Sequence, residues 1–516
     1  MITILRTDLS KLLLLLSILL FYSCNYAQEV EEQGQKIYGF PLLVGEVSQT
    51  TAILQSRLTA NDTILYGDIH HIDSIANADI SGSEGIAFFE ISNKQSFDKP
   101  IKTAWVKAGA EGDFIVKKKV SNLKHGTTYY YRLNYGKDKE NTKTSQINSF
   151  KTLPAKETAS PIEFIMVTGS HLDRFYLGGG LWTTTSQGTG AYREEDKYLG
   201  FPALEAIAAM NPDFFIGNGD NVYYDHPPSK KATTQQEMRA KWHRQFAMPR
   251  MQQIFRHVPT YWMKDDHDHR FDDSDTLRVN EKHGSLPSHE LGVATFLEQV
   301  PIIDPEDHKA KTYRTYRMGK SLQIWMVEGR DFRSPNGIPD GPEKTIWGNK
   351  QKEWLKQTLL ESDADFKILI TPTPMVGPDD AIKSDNHTNP KGFKHEGDEF
   401  FEWLSEHNFS ENSFFILTGD RHWQYHSVHP SGFEEFSCGA LVDQNARLGR
   451  NPGDPKSTDP KGLIRQPYSQ NEASGGFLKV SLEPGKSKQA PSLTFTFYDE
   501  HGKELYAVTK EAERTQ

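Results

Sequence analysis

The sequence has almost no cysteine: of its 516 residues, only Cys24 and Cys438 are cysteines. If Cys24 is removed or lipidated, no pair is left for an intrachain disulfide. The fold must then rest on hydrophobic burial, for which the chain is long enough to form two domains. A long basic run is also absent and the net charge is -10, which argues against nucleic acid as the main partner.

Internal repeats, low-complexity tracts and a membrane-spanning stretch are absent as well. The apolar run at residues 12–21 follows Arg6 and Lys11 and falls short of the roughly 20 residues that a spanning helix needs. A positively charged start, a short apolar core and a polar continuation predict a signal peptide over residues 1–27. We therefore expect an exported protein.

Two cleavage sites are compatible with this segment. Residues 21–24 (FYSC) resemble a bacterial lipobox, which would make Cys24 the lipidated first residue. Ala27-Gln28 would instead serve an ordinary signal peptidase. We favour the lipoprotein, whose acyl chains would be its only membrane contact. The expected location is the periplasm, or the outer membrane and surface of a Gram-negative bacterium.

Residues 38–153 have the pattern of an all-β domain. Short runs rich in β-formers alternate with polar or glycine-bearing turns. At residues 120–133 a loop enters a strand with three successive tyrosines, which is typical of immunoglobulin-like sandwiches in which one tyrosine bonds back to the loop. The pattern predicts an immunoglobulin- or fibronectin-III-like β-sandwich with a structural role. A polar, proline-bearing linker at 152–161 marks its end.

Beyond the linker, short apolar runs alternate with helical segments. This pattern predicts strands that are buried on both faces of a layered α/β sheet. Five strand ends carry Asp, His or Glu beside glycine or another polar residue: 168–171 (TGSH), 216–225 (IGNGDNVYYD), 263–268 (MKDDHD), 327–333 (VEGRDFR) and 417–423 (LTGDRHW). One such end is often only a helix cap or a loop. Five indicate a ligand site, because open α/β sheets bind ligands at the carboxyl ends of their strands.

Three of these motifs together resemble a known family. GDxxY at 219–223, DDHD at 265–268 and GDxH at 419–422 are similar to signatures of the alkaline phosphatase D (PhoD-like) branch of the calcineurin-type metallophosphoesterases. The resemblance runs from about residue 38 onward. It implies an α+β protein: the N-terminal β-sandwich, then an α/β/β/α metallophosphoesterase domain over residues 161–510. It also implies hydrolysis of phosphate esters by a metal-bound hydroxide.

The resemblance assigns a two-metal centre to residues of the motifs. It makes Asp220 the bridging carboxylate, Tyr223 a phenolate ligand of the harder cation, and His422 a ligand on the same side. It makes Asp266 and Asp420 ligands of the second metal. The implied pair is Fe³⁺ with Ca²⁺, and another divalent metal such as Zn²⁺ or Mn²⁺ is the alternative at the second position.

Three further residues are expected to serve catalysis. By the resemblance His267 lies near the leaving group, where it would protonate the leaving oxygen or stabilise developing charge. Asp268 is expected to hold the other ring nitrogen of His267. Arg330 resembles the family arginine that grips paired phosphate or sulfate oxygens. The residues before it are Glu328 and Gly329 rather than the family's Asp-Thr, and an internal salt bridge is the alternative.

The first strand end departs from the family pattern. The family has Gly-Ser-Cys there, with the cysteine bound to iron, whereas this chain has Gly169-Ser170-His171. Imidazole can replace thiolate at iron, so His171 is expected to be a ligand that alters the charge, potential or identity of the metal. The alternative is that His171 is a surface loop residue and the site lacks one ligand.

Two other functions remain open at this point. A surface protein with this scaffold and an altered first ligand would suit sulfate esters of polysaccharides, although the C/S-x-P-x-R signature of sulfatases is not evident. A degenerate site on a surface-anchored protein would bind ligand without turnover. We expect a monomer that acts on small or polymeric phosphate esters. The sequence does not decide between monoester, diester and sulfate ester.

Overall fold

The structure, a computed structural model, describes residues 37–513 except 65–68, 70–71, 179–189, 278–286, 308–309 and 487–488. The predicted signal peptide and Cys24 lie outside the described residues. Within the described part of the chain, no helix is both long and apolar enough to pass through a bilayer.

The N-terminal part forms a β-sandwich. Its strands are β1 (Tyr38–Gly45), β2 (Ala52–Thr59), β3 (Gly85–Ser92), β4 (Ile101–Lys102), β5 (Val106–Ala108), β6 (Ile115–Val120), β7 (Thr128–Gly136), β8 (Thr142–Thr144) and β9 (Asn148–Lys151). Strands β1, β2 and β6 pair in one sheet and the others pair in a second, with one apolar core between them. The hydroxyl of Tyr129 accepts a hydrogen bond from the Lys124 amide at 2.9 Å. The predicted sandwich, with a tyrosine bonded back to its loop, is confirmed.

The rest of the chain contributes thirteen further strands among the described residues. They are β10 (Ile162–Val167), β11 (Phe214–Asn218), β12 (Thr260–Met263), β13 (Arg314–Met318), β14 (Leu322–Met326), β15 (Phe366–Thr371), β16 (Phe414–Thr418), β17 (Gln424–Val428), β18 (Glu434–Cys438), β19 (Arg465–Ser469), β20 (Gly476–Glu483), β21 (Ser492–Asp499) and β22 (Glu504–Glu511).

The helices of the described residues mostly follow the strands of this second part. They are α1 (Ile72–Asn77), α2 (Leu172–Leu177), α3 (Pro202–Met210), α4 (Gln235–Ala247), α5 (Pro249–Phe255), α6 (Asp266–His269), α7 (His289–Gln299), α8 (Asn349–Leu360) and α9 (Lys394–Glu406). Short 3₁₀ turns occur at Ala110–Gly112, Glu195–Leu199, Pro228–Lys230 and Asp443–Asn445.

Two sheets lie face to face between outer layers of helices. The strand order is β22-β21-β20-β10-β11-β12-β1-β2-β6 in one sheet and β13-β14-β15-β16-β18-β17-β19 in the other. Apolar side chains such as Met166, Ile216 and Ile368 are buried between them. Helices α3, α4 and α5 cover the outer face of the first sheet, and α8 and α9 cover that of the second. The predicted α/β/β/α arrangement is confirmed.

The sandwich and the α/β region share one sheet, which the sequence did not predict. Strand β1 pairs in parallel with β12, with Gly45 opposite Thr260. The Thr260 hydroxyl donates to the Val44 carbonyl at 3.0 Å, and Arg314 pairs with Glu46 at 2.8 Å. Strand β1 thereby covers what would otherwise be an open sheet edge at β12.

A buried polar network also joins the two regions. His243 of α4 contacts Asp79 at 2.7 Å through Nδ1 and Asp113 at 2.6 Å through Nε2. Arg57 of β2 pairs with the other oxygen of Asp113 at 3.1 Å. Burial alone would raise the pKa of Asp113, but His243 and Arg57 outweigh it and lower the pKa from 3.8 to about 2. The ionised carboxylate therefore stabilises the folded chain.

We predict that Asp113→Asn lowers the free energy of unfolding by about 3–5 kcal/mol at pH 7, because it leaves the buried Arg57 guanidinium without its carboxylate partner. Asparagine tolerates the positive φ of 52° at this position. The Asp113 contribution is present above pH 3.8 and disappears as the pH falls through the folded pKa of about 2. Urea denaturation at several pH values measures both effects.

The exposed Asp98 provides a matched control on the same sandwich. Asp98→Asn should change stability by no more than about 0.5 kcal/mol. Equal losses in the two variants, or a loss in Asp113→Asn that does not shrink in acid, would contradict this account of the network.

Candidate metal centre

The carboxyl ends of parallel strands from both sheets meet at one place. Strands β10, β11 and β12 run parallel in the first sheet, as do β14, β15 and β16 in the second. Asp220 and Asp420 each follow a glycine at a strand end and have positive φ of 53° and 57°. Such backbone strain in non-glycine residues is concentrated at functional sites. Gly219 has no room for a side chain, since a Cβ there would lie 2.5 Å from the Asp265 Cβ.

One side of Asp220 faces a tyrosine and a histidine. The Asp220 Oδ2 accepts from the Tyr223 hydroxyl at 3.1 Å and lies 3.2 Å from the His422 Nε2. The Tyr223 hydroxyl and the His422 Nε2 are 3.3 Å apart. Phenol, imidazole and carboxylate thus converge within hydrogen-bonding distance, as the ligands of one cation do.

The other side of Asp220 is acidic. Ligand atoms of Asp220, Asp266 and His267 lie within 4.8 Å of one another, and so do those of Asp265, Asp266 and Asp420. Asp220 therefore lies between the Tyr223–His422 pair and a group of aspartates. The structure brings together five of the six predicted ligands: Asp220, Tyr223, Asp266, Asp420 and His422.

These carboxylates need cations. The Oδ1 atoms of Asp220 and Asp266 are buried and have no hydrogen-bond partner among the described residues. Burial, and then the charge of Asp266, raises the pKa of Asp220 well above its usual range. Burial and Asp220 likewise raise the pKa of Tyr223. A metal ion would contact the unpaired Oδ1 atoms and lower the pKa of both Asp220 and Tyr223. The residues therefore fit a metal centre.

His171 lies against the tyrosine side of the centre. It is fully buried, and its Nε2 has no hydrogen-bond partner among the described residues. Its ring stacks on the Tyr223 ring with centroids 3.9 Å apart, and its Nδ1 accepts from the Arg174 amide at 3.2 Å. His171 therefore stays the predicted ligand in place of the family cysteine, and its burial excludes the alternative of a surface loop residue.

His267 is held by Asp225 rather than by Asp268, which corrects the sequence interpretation. The Nδ1 of His267 lies 2.7 Å from the Asp225 Oδ1. Asp268 instead accepts from the Asp265 amide at 2.6 Å and from the Asn221 side chain at 2.6 Å. The reason is geometric: Asp268 is the third residue of α6 and completes a capping box with Asp265 at its start.

Burial alone would lower the pKa of His267. The neighbouring carboxylates of Asp225, Asp266 and Asp220 outweigh burial and raise the pKa well above its ordinary value. The Asp225 contact at 2.7 Å thus favours the protonated ring, which is the form that can donate a proton.

Arg330 makes the internal salt bridge that was its alternative interpretation. Its side chain is completely buried, and its Nε donates to Asp265 Oδ1 at 2.6 Å. A second nitrogen donates to the Ser274 carbonyl at 2.7 Å. Because the Arg330 side chain is inaccessible and contacts Asp265 and Ser274, it holds the aspartate cluster and is not exposed to bind a substrate.

Sequence reasoning missed two other residues of the site. The Asn445 side chain donates to the Tyr223 hydroxyl at 2.8 Å and to the Gly169 carbonyl at 3.1 Å. Arg421 pairs with Asp379 at 2.7 Å and with Asp420 at 2.9 Å. Arg421 is the variable residue of the GDxH motif, so the sequence did contain a signal for it. Asn445 is 222 residues from Tyr223 and has no local signal.

The four-layer fold and the buried acidic centre define a metal-dependent phosphoester hydrolase. Residues 188–505 match the PhoD-like phosphatase family, and residues 26–154 match the PhoD-like phosphatase, N-terminal domain. The chain belongs to the PhoD-like phosphatase family, as the motifs predicted.

Solved structures share the fold. The chain is similar to the structure of PhoD, with a TM-score of 0.68 and 15% identity over 92% of this chain and 91% of that one. It is also similar to the purple acid phosphatase PPD1 from yellow lupin (Lupinus luteus) seeds, with a TM-score of 0.56 and 13% identity over 92% of this chain and 74% of the other. Among curated proteins, none matches this chain significantly.

We predict that Asp225→Asn lowers kcat by about 10- to 100-fold, since partners that orient a functional histidine carry effects of this size. Asp268→Asn should instead lower the free energy of unfolding by about 1 kcal/mol, because it weakens the capping box at the start of α6. Its effect on kcat should be smaller. Steady-state kinetics and thermal unfolding of both variants measure the contrast. The reverse pattern would restore Asp268 as the partner of His267.

Proposed function

We propose that this chain is an exported phosphoesterase in which a two-metal centre around Asp220 binds the phosphoryl group of a phosphate ester. The observation that carries the proposal is the position of the Asp220 carboxylate. It contacts Tyr223 and His422 on one side and belongs to an acidic cluster with Asp266 on the other. Two-metal hydrolysis places two ions about 3.5–4 Å apart, which a shared carboxylate makes possible.

The donor set supports two different cations. Tyr223 and His422 with Asp220 offer phenolate, imidazole and carboxylate, which suit a strongly Lewis-acidic ion such as Fe³⁺. Asp266 and Asp420 offer carboxylate oxygens, which suit Ca²⁺ or another divalent ion such as Mn²⁺ or Zn²⁺. When bound, the ions would polarise the phosphoryl oxygens and lower the pKa of the attacking water.

His267 is the proposed proton donor to the leaving oxygen. Its Nδ1 is engaged by Asp225 at 2.7 Å, so Nε2 is the nitrogen that remains for the substrate. Asp225 would act through His267 as a positioning residue. Arg330 would act only by holding Asp265 in place.

The proposed substrate is a small or polymeric phosphate ester, and a sulfate ester is the competing candidate. The two proposed metal ions would favour phosphate, because a phosphate monoester carries more negative charge than a sulfate ester. Parallel assays of an aryl phosphate, a bis-aryl phosphate and an aryl sulfate on the metal-loaded protein separate the candidates. Turnover of the sulfate alone would overturn the proposal.

For the chain as a whole we propose a division into a signal peptide over residues 1–27, a sandwich over 38–153 and a catalytic unit over 161–510. The pairing of β1 with β12 supports a sandwich that stabilises the catalytic unit by covering its sheet edge. We also propose a lipid anchor at Cys24. Fractionation of cells that produce the Cys24→Ala variant tests this proposal. The variant should be found in the soluble fraction, whereas the unchanged protein should be found in the membrane fraction.

We predict that purified protein contains iron and a second metal and has a visible absorption band, because tyrosinate bound to ferric iron gives a charge-transfer transition. Tyr223→Phe should remove the band and lower phosphatase activity. Elemental analysis and absorption spectroscopy measure both. Tyr224→Phe is a matched control, because the Tyr224 hydroxyl accepts from the Trp242 ring instead, at 2.7 Å.

A colourless protein with divalent metal would contradict the assignment of iron and leave the hydrolase proposal standing. Protein without metal, and without activity after metals are added, would overturn the enzyme and favour a binding role.

A further inference from the structure

The acidic side of the metal centre continues into an outer carboxylate group, which consists of Asp266, Asp272 and Asp273. Ligand atoms of these three residues lie within 4.8 Å of one another. Oxygens grouped in this way suit a hard divalent cation such as Ca²⁺. Without a positive charge nearby, three carboxylates at these distances would repel one another. The source of that positive charge decides how many metal ions the protein needs.

Lys383 supplies a positive charge at this group. Its Nζ contacts the Oδ1 of Asp273 and lies 3.7 Å from the Oδ1 of Asp272. The loop that carries Lys383 is anchored at Asp380, whose carboxylate pairs with Arg450 at 2.8 Å. The chain therefore holds an ammonium group where the outer carboxylates would otherwise suit a metal ion.

The turn formed by Asp272 and Asp273 contacts both parts of the proposed catalytic machinery. The Asp272 amide donates to the Asp225 Oδ2 at 3.0 Å, and the other oxygen of Asp225 holds His267. The Asp273 amide donates to the Asp266 Oδ2 at 2.6 Å. Asp273 has a positive φ of 55°, a backbone conformation that needs support from its surroundings in a non-glycine residue. The ion pair between its side chain and the lysine ammonium supplies such support.

We propose that Lys383 is a positioning residue that takes the place of a metal ion in the outer carboxylate group. The inference rests on the proposed two-metal phosphoesterase and adds that a residue of the chain completes its acidic side. A lysine ammonium is a compact point charge with three donors, and it cannot share the space between these carboxylates with a Ca²⁺ ion. The ammonium keeps the turn at residues 272–273 in place at any calcium concentration. It thereby fixes Asp225, which orients His267, and Asp266, the proposed ligand of the second metal.

The test counts metal ions on protein whose two-metal centre is already filled. After equilibrium dialysis against millimolar CaCl2, elemental analysis should find one more Ca²⁺ per chain in Lys383→Ala than in the wild type. Without added calcium, Lys383→Ala should lower kcat for 4-nitrophenyl phosphate by about 10- to 100-fold, the size of effect that residues supporting metal ligands carry. Added Ca²⁺ should restore most of the lost activity in the variant and leave the wild type unchanged.

Three further variants locate the additional ion and separate charge from structure. Lys383→Arg keeps a positive charge and should bind no additional Ca²⁺. Asp272→Asn in the Lys383→Ala background removes one carboxylate of the group and should abolish the additional uptake. Lys356→Ala is a matched control, because the Lys356 side chain is 25% exposed against 26% for Lys383 and pairs with Glu399 at 3.0 Å between two outer helices. It should change neither the metal content nor kcat.

Thermal unfolding of each variant identifies any that fails to fold, and Lys383→Gln replaces Lys383→Ala if that variant is one of them. An additional Ca²⁺ in Lys383→Ala that is lost with Asp272→Asn, together with calcium-dependent kcat, supports the proposal. An unchanged calcium count or an unchanged kcat in Lys383→Ala overturns it. Anomalous diffraction that places Ca²⁺ in the outer carboxylate group of the wild type, between Asp272 and Asp273, also overturns it.

In each of these cases the phosphoesterase proposal stands, because it depends on the two-metal centre and not on Lys383. A wild-type protein that binds no metal and cleaves neither 4-nitrophenyl phosphate nor bis(4-nitrophenyl) phosphate overturns the phosphoesterase proposal and the role of Lys383 with it.

Discussion

Buried carboxylates that lie close together repel one another and keep their charge only beside cations. Asp220, Asp265 and Asp266 are all nearly inaccessible, and ligand atoms of Asp266 lie within 4.8 Å of ligand atoms of both others. Arg330 compensates part of this charge through Asp265. The Oδ1 atoms of Asp220 and Asp266 make no hydrogen bond within the described residues, so bound metal would stabilise the arrangement.

The fold concentrates these charges in one place. Parallel strands from two facing sheets end together, and their carboxyl ends supply the acidic residues from distant parts of the chain. The sandwich contributes to the same framework, because β1 pairs with β12, the strand that leads into Asp265 and Asp266. A rigid framework of this kind keeps repelling groups at fixed distances, as catalysis by positioned charges requires.

Much of this was predictable from local patterns. Apolar runs that end in Asp and His predicted the strands, and the family resemblance singled out Asp220, Asp266 and Asp420, which the fold brings together. The tyrosine-rich strand predicted the sandwich. The partner of His267 was not predictable, because Asp225 and Asp268 are equally plausible in sequence and only the capping box of α6 decides between them. The shared sheet and the position of Asn445 depend on contacts between distant segments, for which a single sequence carries no signal.

Anomalous X-ray diffraction from crystals of the purified, metal-loaded protein tests the central claim most directly. The account predicts two metal peaks about 3.5–4 Å apart, one on each side of the Asp220 carboxylate, with Tyr223 and His422 on one ion and Asp266 and Asp420 on the other. A single peak, or metal bound only at Asp266, Asp272 and Asp273 with Asp220 left free, would contradict it.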